Sequence, residues 1–170
     1  MLSQTVEQAL NKQLNVEFGS SYLYLSMAAW CESQNLSGMA QWMQAQAQEE
    51  WGHGMKIYDF IHERDGKVVL EALTAPPTEW DSPLALFQAA YKHECHVSQL
   101  INELVDLALQ EKDYATYAFL QWFVSEQVEE ESTVRGIVDR LKMAGEQTGV
   151  LLMIDSQLGQ RVPTAPAGGE

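Results

Sequence analysis

Positive charge is scarce in this sequence. Its 170 residues include 10 Lys and Arg against 24 Asp and Glu, which gives a formal net charge of −14 at pH 7. A surface of this sign repels the phosphates of nucleic acids and of anionic lipids. We therefore expect neither a nucleic acid nor a membrane as a partner, and cations are the partners that the charge favours.

Long apolar runs and cysteines are scarce as well. No stretch approaches the roughly 20 apolar residues that a membrane-spanning helix needs. The segment from Met1 to Leu10 lacks the basic stretch and the apolar run of a signal peptide. The two cysteines, Cys31 and Cys95, lie in helix-like sequence, where we expect reduced thiols. Together these features predict a cytoplasmic protein.

Length and composition predict one all-helical domain. A chain of 170 residues with 46% hydrophobic content can bury a full core but is too short for two comfortable domains. We assign residues 1–160 to this domain. Residues 161–170 are expected to form a disordered tail, because the segment from Pro163 to Glu170 is rich in Pro, Gly and Ala.

Apolar periodicity and capping residues predict four long helices and one short helix. Thr5 and Gln8 fit a capping box, Ser82 followed by Pro83 is a typical helix start, and Asp113 can cap the fourth helix. The predicted helices span Thr5 to Trp30, Ser37 to the stop at Gly66, Pro83 to Glu111, Asp113 to Ala144 and Val150 to Leu158.

The lengths of the connections predict the topology. Only a few residues join the first two long helices and the last two, so each pair forms an antiparallel hairpin. The 17 residues from Gly66 to Ser82 can stretch to about 56 Å, more than the roughly 42 Å length of a 28-residue helix. We therefore predict an all-α four-helix bundle with one long crossover, parallel second and third helices, and a short fifth C-terminal helix.

Each long helix carries a seam, a row of residues spaced by four and three positions that is expected to face the bundle interior. In the first two helices the seams are Leu10, Leu14, Glu17, Ser21, Tyr24, Ala28 and Met39, Met43, Gln46, Glu50, His53, Ile57, Phe60. In the last two they are Phe87, Tyr91, Glu94, Ser98, Ile101, Val105 and Leu120, Phe123, Gln127, Glu130, Val134, Ile137, Leu141.

Every seam has a carboxylate near its middle, and helices of similar length align at their midpoints. A core layer with four glutamates is costly unless cations neutralise it. Two divalent ions would balance four negative charges, and carboxylates with one imidazole suit iron or manganese. Glu50 and His53 at positions i and i+3 can serve one ion together.

Single residues of this pattern also have an ordinary structural interpretation. One Glu on a seam often lies at the bundle edge, and Tyr24 alone is typical of a core tyrosine. Four carboxylates at matching depth are what favour a metal layer.

Four segments, in this order, resemble the ferritin family and, within it, the non-haem bacterial ferritins. They are Glu17 with Tyr24 seven residues later, Glu49-Glu50-x-x-His53, Tyr91-Lys92-His93-Glu94, and Phe119-Leu120-Gln121-Trp122 followed by Ser125-Glu126-Gln127-x-Glu129-Glu130. The resemblance extends from Met1 to about Leu158.

This resemblance implies a ferroxidase whose substrates are Fe(II) and dioxygen. The ligands of two irons would be Glu17, Glu50, His53, Glu94 and Glu130. Glu50 would bridge the ions, Gln127 would hydrogen-bond a ligand, and Tyr24 would be a nearby phenol able to donate a hydrogen bond or an electron. A third iron site on the cavity side would fall on Glu49, Glu126, Glu129 and Glu130.

The resemblance further implies iron storage as a ferric mineral inside a homo-oligomeric cage of 24 subunits. Haem is not expected, because Trp51 stands where bacterioferritins carry a haem-binding Met. Three alternatives remain at this level: a di-iron oxidase or reductase acting on another substrate, a DNA-protecting mini-ferritin, and a metal-free helical scaffold of the same topology.

Overall fold

The computed structural model describes residues 2–161, which form five helices and no strand. The helices are α1 (Gln4–Ser33), α2 (Ser37–Glu63), α3 (Pro83–Gln110), α4 (Tyr114–Ala144) and α5 (Thr148–Leu158). The predicted all-α class and helix order are confirmed. The predicted tail lies outside the described residues apart from Arg161, and the domain division at residue 160 stays a prediction. Within the described part, no helix is both long and apolar enough to cross a membrane.

Two of the three predicted helix caps are confirmed. The Ser82 hydroxyl accepts a hydrogen bond from the Ala85 amide at 3.1 Å, with Pro83 in the first turn, and the Asp113 carboxylate accepts one from Thr116 at 3.1 Å. The capping box at Thr5 is wrong. Ser3 caps α1 instead, because its hydroxyl accepts the Val6 amide at 3.3 Å.

Residues 64–82 cross the whole bundle, as their length predicts. The Lys67 amide donates to the Glu7 carboxylate at 3.1 Å, and the Ser26 hydroxyl donates to the Pro77 carbonyl at 2.6 Å. From Glu7 to Ser26, nineteen helical residues rise roughly 29 Å, and from Lys67 to Pro77, ten extended residues span roughly 33 Å. The crossover therefore runs parallel to α1, which leaves α2 and α3 parallel to each other.

Two asparagine amides of α1 hold the crossover. Asn11 donates to the Lys67 carbonyl at 2.9 Å and accepts the Val69 amide at 2.6 Å; Asn15 donates to the Val69 carbonyl at 2.9 Å and accepts the Glu71 amide at 2.8 Å. The register matches because four helical residues rise about 6 Å, close to the rise of two extended residues. The side chains thus satisfy main-chain groups that have no sheet partner.

The short helix α5 packs across the start of α2. Leu36 precedes α2 without a side-chain cap, and the buried Asp155 carboxylate of α5 accepts from the Gly38 and Met39 amides at 3.2 and 2.7 Å. A Cβ on Gly38 would lie 1.8 Å from the Asp155 carbonyl oxygen, so only glycine permits this approach. A negative charge at a helix N-terminus also suits the helix dipole.

The apolar core of the bundle forms two clusters. The cluster nearer α5 includes Tyr24, Met43, Phe87 and Val134. The cluster at the other end includes Leu14, Ile57, Ile101 and Phe123. Along α2, α3 and α4, the buried glutamate lies between the residues of one cluster and those of the other. In α1, Glu17 lies beside Phe18, the last residue of the second cluster in that helix, so a polar layer divides the core.

The predicted seams of α1, α2 and α4 are buried throughout, whereas the seam of α3 is only partly right. Tyr91, Ser98 and Val105 are half-buried. The buried row of α3 consists of Leu86, Phe87, Ala90, Glu94, Val97, Ile101, Leu104 and Ala108. Because two of the misplaced residues are polar, the helix turns them to the bundle edge and buries the neighbouring apolar side chains.

The asparagine contacts give a local prediction. In Asn11→Leu we expect hydrogen exchange of the Val69 amide to accelerate by about fivefold, because one such hydrogen bond is worth roughly 1 kcal/mol. Asn15→Leu should instead accelerate exchange of Glu71. Exchange measured at single-residue resolution checks this, and equal acceleration at both amides in either variant would contradict it.

Candidate metal centre

The four glutamates of the predicted layer are buried at one depth of the bundle. Glu17, Glu50 and Glu94 are each 1% exposed, and Glu130 is 7% exposed. They come from α1, α2, α3 and α4, one from each long helix. The layer inferred from matching seam positions is therefore present in the structure.

Two groups of metal-binding side chains share Glu50. One consists of Glu17, Glu50 and His53, and the other of Glu50, Glu94 and Glu130. Within each group, one ligand atom per residue lies within 4.8 Å of the others. This arrangement can hold two cations with one carboxylate common to both. Only one group has a histidine, so the two positions are chemically unequal.

His53 is held on both sides of its ring. Its Nδ1 lies 3.4 Å from a Glu50 carboxylate oxygen one helical turn away. The rings of Trp122 and Phe123 meet its ring edge-on, with centroids 5.3 and 6.1 Å away. The imidazole orientation is thus fixed by packing as well as by the carboxylate.

Three buried glutamines donate hydrogen bonds to the carboxylates. The Gln13 amide donates to Glu17 at 2.7 Å, and the Gln46 amide donates to Glu50 at 3.0 Å and to Glu130 at 2.7 Å. The family resemblance implies this kind of contact for Gln127, the third, but not for Gln13 or Gln46. Both precede a layer glutamate by four residues, the helical spacing that brings two side chains together.

The Glu94 carboxylate has two further donors. The Tyr24 hydroxyl donates to Oε1, and the Gln127 amide donates to Oε2 at 3.3 Å. Gln127 also reaches the Glu94 carbonyl at 3.2 Å. Tyr24 is fully buried, and its contact with a candidate ligand places the phenol beside the layer, not merely in the apolar core.

Two buried carboxylate oxygens in the described part of the chain have no hydrogen-bond partner: Glu17 Oε2 and Glu130 Oε2. Such atoms are rare in native interiors, because an unsatisfied buried polar atom costs roughly 1–3 kcal/mol. One belongs to each ligand group. A cation in each group would satisfy both, so the donor set fits two hard or borderline metal ions.

Burial and mutual repulsion shift the pKa values of three layer carboxyls upward. Burial raises the pKa of Glu17 to about 8 and that of Glu94 to about 7, and the charge of Glu50 adds to both shifts. Burial also raises the pKa of Glu130 well above its ordinary value, with contributions from Glu50 and Glu94. Without metal, protons therefore take the place of cations on these groups.

Glu50 and His53 behave as an ion pair. Burial opposes the charge of Glu50, but the hydrogen bond with His53 and its positive charge outweigh burial and lower the pKa of Glu50. Burial likewise opposes protonation of His53, yet its hydrogen bond with Glu50 and the charges of Glu50 and Glu17 raise its pKa to about 9. One negative and one positive charge thus coexist in the layer.

The residues predicted for a third site lie around a neighbouring cavity of about 540 Å³. Its walls include Glu49, Glu126, Glu129 and Glu130. The structure brings Glu126 and Glu130 together with His53 in a third potential metal group, which contains neither Glu49 nor Glu129. Glu49 instead forms an ion pair with Arg161.

The raised pKa of Glu17 gives a stability prediction. Because the pKa of Glu17 is higher in the folded than in the unfolded protein, this group lowers the free energy of unfolding as pH rises from about 4.5, its ordinary pKa, towards about 8, its folded pKa. Glu17→Gln keeps the shape and the Gln13 contact without this loss. We expect the metal-free variant to melt above the wild type at pH 8.5, with a smaller difference at pH 5.5.

Calorimetry of the metal-free protein measures this difference. The exposed Glu103→Gln variant controls for the loss of one negative charge. Divalent ions should also stabilise Glu17→Gln less than the wild type, because a ligand is lost. A metal-free Glu17→Gln protein that melts below the wild type at pH 8.5 would contradict the assignment of a costly buried charge.

Comparison with known proteins places this arrangement in a family. The Ferritin-like domain matches residues 7–144. The bacterial non-heme ferritin of Bacteroides fragilis is 47% identical over 161 residues, covering 95% of this chain and all of the relative. The bacterial non-heme ferritin of Campylobacter jejuni is 41% identical over 158 residues, covering 93% and 95% of the two chains.

Solved structures agree with the sequence comparison. The open pore ferritin from Archaeoglobus fulgidus is 51% identical and superposes with a TM-score of 0.95, covering 95% of this chain and 99% of that one. Helix order, buried ligand layer and sequence relatives all lead to one conclusion: this chain belongs to the ferritin family.

Proposed function

We propose that this protein stores iron and that its buried layer is a ferroxidase centre, where dioxygen oxidises Fe(II). The observation that carries the proposal is the pair of ligand groups sharing Glu50, each with one buried carboxylate oxygen that lacks a hydrogen-bond partner in the described structure. The names of the bacterial relatives support it, since they are non-heme ferritins.

Two Fe(II) ions are the proposed substrates in each subunit. Glu17, Glu50 and His53 would bind one ion, and Glu94 and Glu130 would bind the other, with Glu50 shared. Each ion gives up one electron, so the pair reduces one dioxygen molecule by two electrons. Anionic oxygen ligands favour Fe(III) over Fe(II), which drives the oxidation forward. Two ions held together allow the two-electron step within one site.

Protons move when the substrate binds. The pKa values of Glu17 and His53, about 8 and about 9, keep both groups largely protonated at neutral pH. Metal ligands must be deprotonated, so Fe(II) binding expels these protons. The amides of Gln13, Gln46 and Gln127 keep the carboxylates oriented in both states. The protein thus exchanges protons for metal with little movement of its ligands.

Tyr24 and Gln127 act on the second ion through Glu94. Both donate hydrogen bonds to this carboxylate, so they fix its orientation and reduce its basicity. The Tyr24 phenol also lies close enough to the centre, through its contact with Glu94, to give one further electron to the dioxygen reduced there. Neither contact involves the ligand group that contains His53, so the surroundings of the two ions differ further.

The oxidised product would leave through the acidic cavity beside the layer. Glu126 and Glu130 belong to both the cavity wall and a potential metal group with His53. With Glu49 and Glu129 they form the proposed third iron site. The four carboxylates of this wall attract ferric ions and can nucleate their mineral. The cavity therefore favours iron storage over oxidation of another substrate.

Replacing the shared ligand tests the ferroxidase centre. We expect Glu50→Ala to lower the initial rate of Fe(II) oxidation by about 100-fold or more, because both ions lose a ligand. Stopped-flow absorbance of Fe(III) formation measures it, with the exposed Glu103→Ala as the control for a lost carboxylate. Wild-type rates in a correctly assembled Glu50→Ala protein would show that oxidation occurs elsewhere.

Storage in a cage of 24 identical subunits predicts the native mass. Each chain has a mass of 19.1 kDa, so the empty cage should have about 460 kDa. Native mass spectrometry or light scattering measures this value before and after aerobic addition of Fe(II). We expect retained iron to exceed three ions per subunit. A dimer of about 38 kDa that retains no iron would contradict the storage function.

A further inference from the structure

Arg161 brings a positive charge into the acidic cavity. It follows α5, and its backbone amide donates to the Leu158 carbonyl at 3.2 Å. Its guanidinium forms an ion pair with the Glu49 carboxylate and lies over the Trp42 ring, with its carbon 4.4 Å from the ring centroid. The side chain thus folds back from α5 onto α2.

This ion pair is well sheltered from solvent. The side chain of Arg161 is 21% exposed and that of Glu49 is 10% exposed. Solvent screening is weaker for such a pair than for one at the surface, and the aromatic ring adds a second attraction. Arg161 Nη1 is buried without a hydrogen-bond partner in the described residues, whereas Nη2 pairs with Glu49 and the guanidinium lies over Trp42.

The guanidinium is paired with Glu49, one of the four carboxylates of the proposed third iron site. Glu49, Glu126, Glu129 and Arg161 line the same cavity. A divalent cation that used Glu49 would have to displace the guanidinium or bind beside its charge. Either route weakens binding of the cation, because the Glu49 carboxylate is already neutralised by Arg161 and like charges repel.

We propose that Arg161 is an internal counter-ion for the cavity-side carboxylates, and that it sets how weakly a third divalent cation binds. The inference rests on the proposed ferroxidase centre. Its consequence is a division of roles: the layer binds two ions tightly, and the cavity passes a third ion on without retaining it. Arg161 is a positioning residue, since it acts on iron through Glu49.

The test is a titration of the assembled, metal-free protein with Zn²⁺, which does not change oxidation state. Calorimetry gives the number of sites and their dissociation constants. We expect two tight sites and one weak site in the wild type. In Arg161→Gln the third dissociation constant should fall about 10- to 100-fold, the range seen when groups around metal ligands are changed.

Three further variants separate the counter-ion from a general effect. Arg140 lines the same cavity, but its guanidinium donates hydrogen bonds to the Gly136 carbonyl and the Gln157 side chain. Arg140→Gln should therefore change the third dissociation constant by less than about threefold. Arg161→Lys retains the charge and should keep the third site weak. Adding Glu49→Ala to Arg161→Gln should abolish the gain, because the ligand is lost.

The outcomes distinguish the two proposals. Fewer than two tight Zn²⁺ sites in the wild type would refute the ferroxidase centre itself. Two tight sites with the same third dissociation constant in the wild type and Arg161→Gln would refute the counter-ion and leave the centre standing. An equal gain in Arg140→Gln would also refute it, since cavity charge alone would then explain the effect.

Discussion

The buried layer of carboxylates must be balanced in charge, and the surrounding architecture serves this requirement. Four carboxylates in an apolar core cannot all be ionised without compensation. The metal-free protein solves this with protons on Glu17 and Glu130, an ion pair between Glu50 and His53, and amide donors from three glutamines. Two cations would replace the protons and the positive charge of His53. The site is therefore built for exchange between the two states.

The architecture serves this layer in two ways. One carboxylate comes from each long helix, so the ligands meet only if all four helices align at their midpoints. The apolar clusters on either side hold that alignment, and the crossover anchored by Asn11 and Asn15 allows α2 and α3 to run parallel. Asp155 fixes α5 against the start of α2, which also positions Arg161, three residues after the end of α5.

Much of the fold and of the layer could be predicted from the sequence, because both depend on local spacing. Helical periodicity places Glu17, Glu50, Glu94 and Glu130 at one depth, and connection lengths determine the crossover. The predicted buried row of α3 is partly wrong. Tyr91 and Ser98 fit the spacing, but neighbouring apolar side chains are buried in their place. Contacts between distant segments, such as Glu49 with Arg161 or α2 with Asp155, leave no local signal.

Diffraction at the iron absorption edge can show whether this layer binds two iron ions. Crystals would be loaded with Fe(II) without oxygen, at two ions per subunit. We expect two anomalous peaks in each bundle, one beside Glu17 and His53 and the other beside Glu94 and Glu130, with Glu50 between them. Peaks confined to the cavity wall, with none inside the layer, would contradict it.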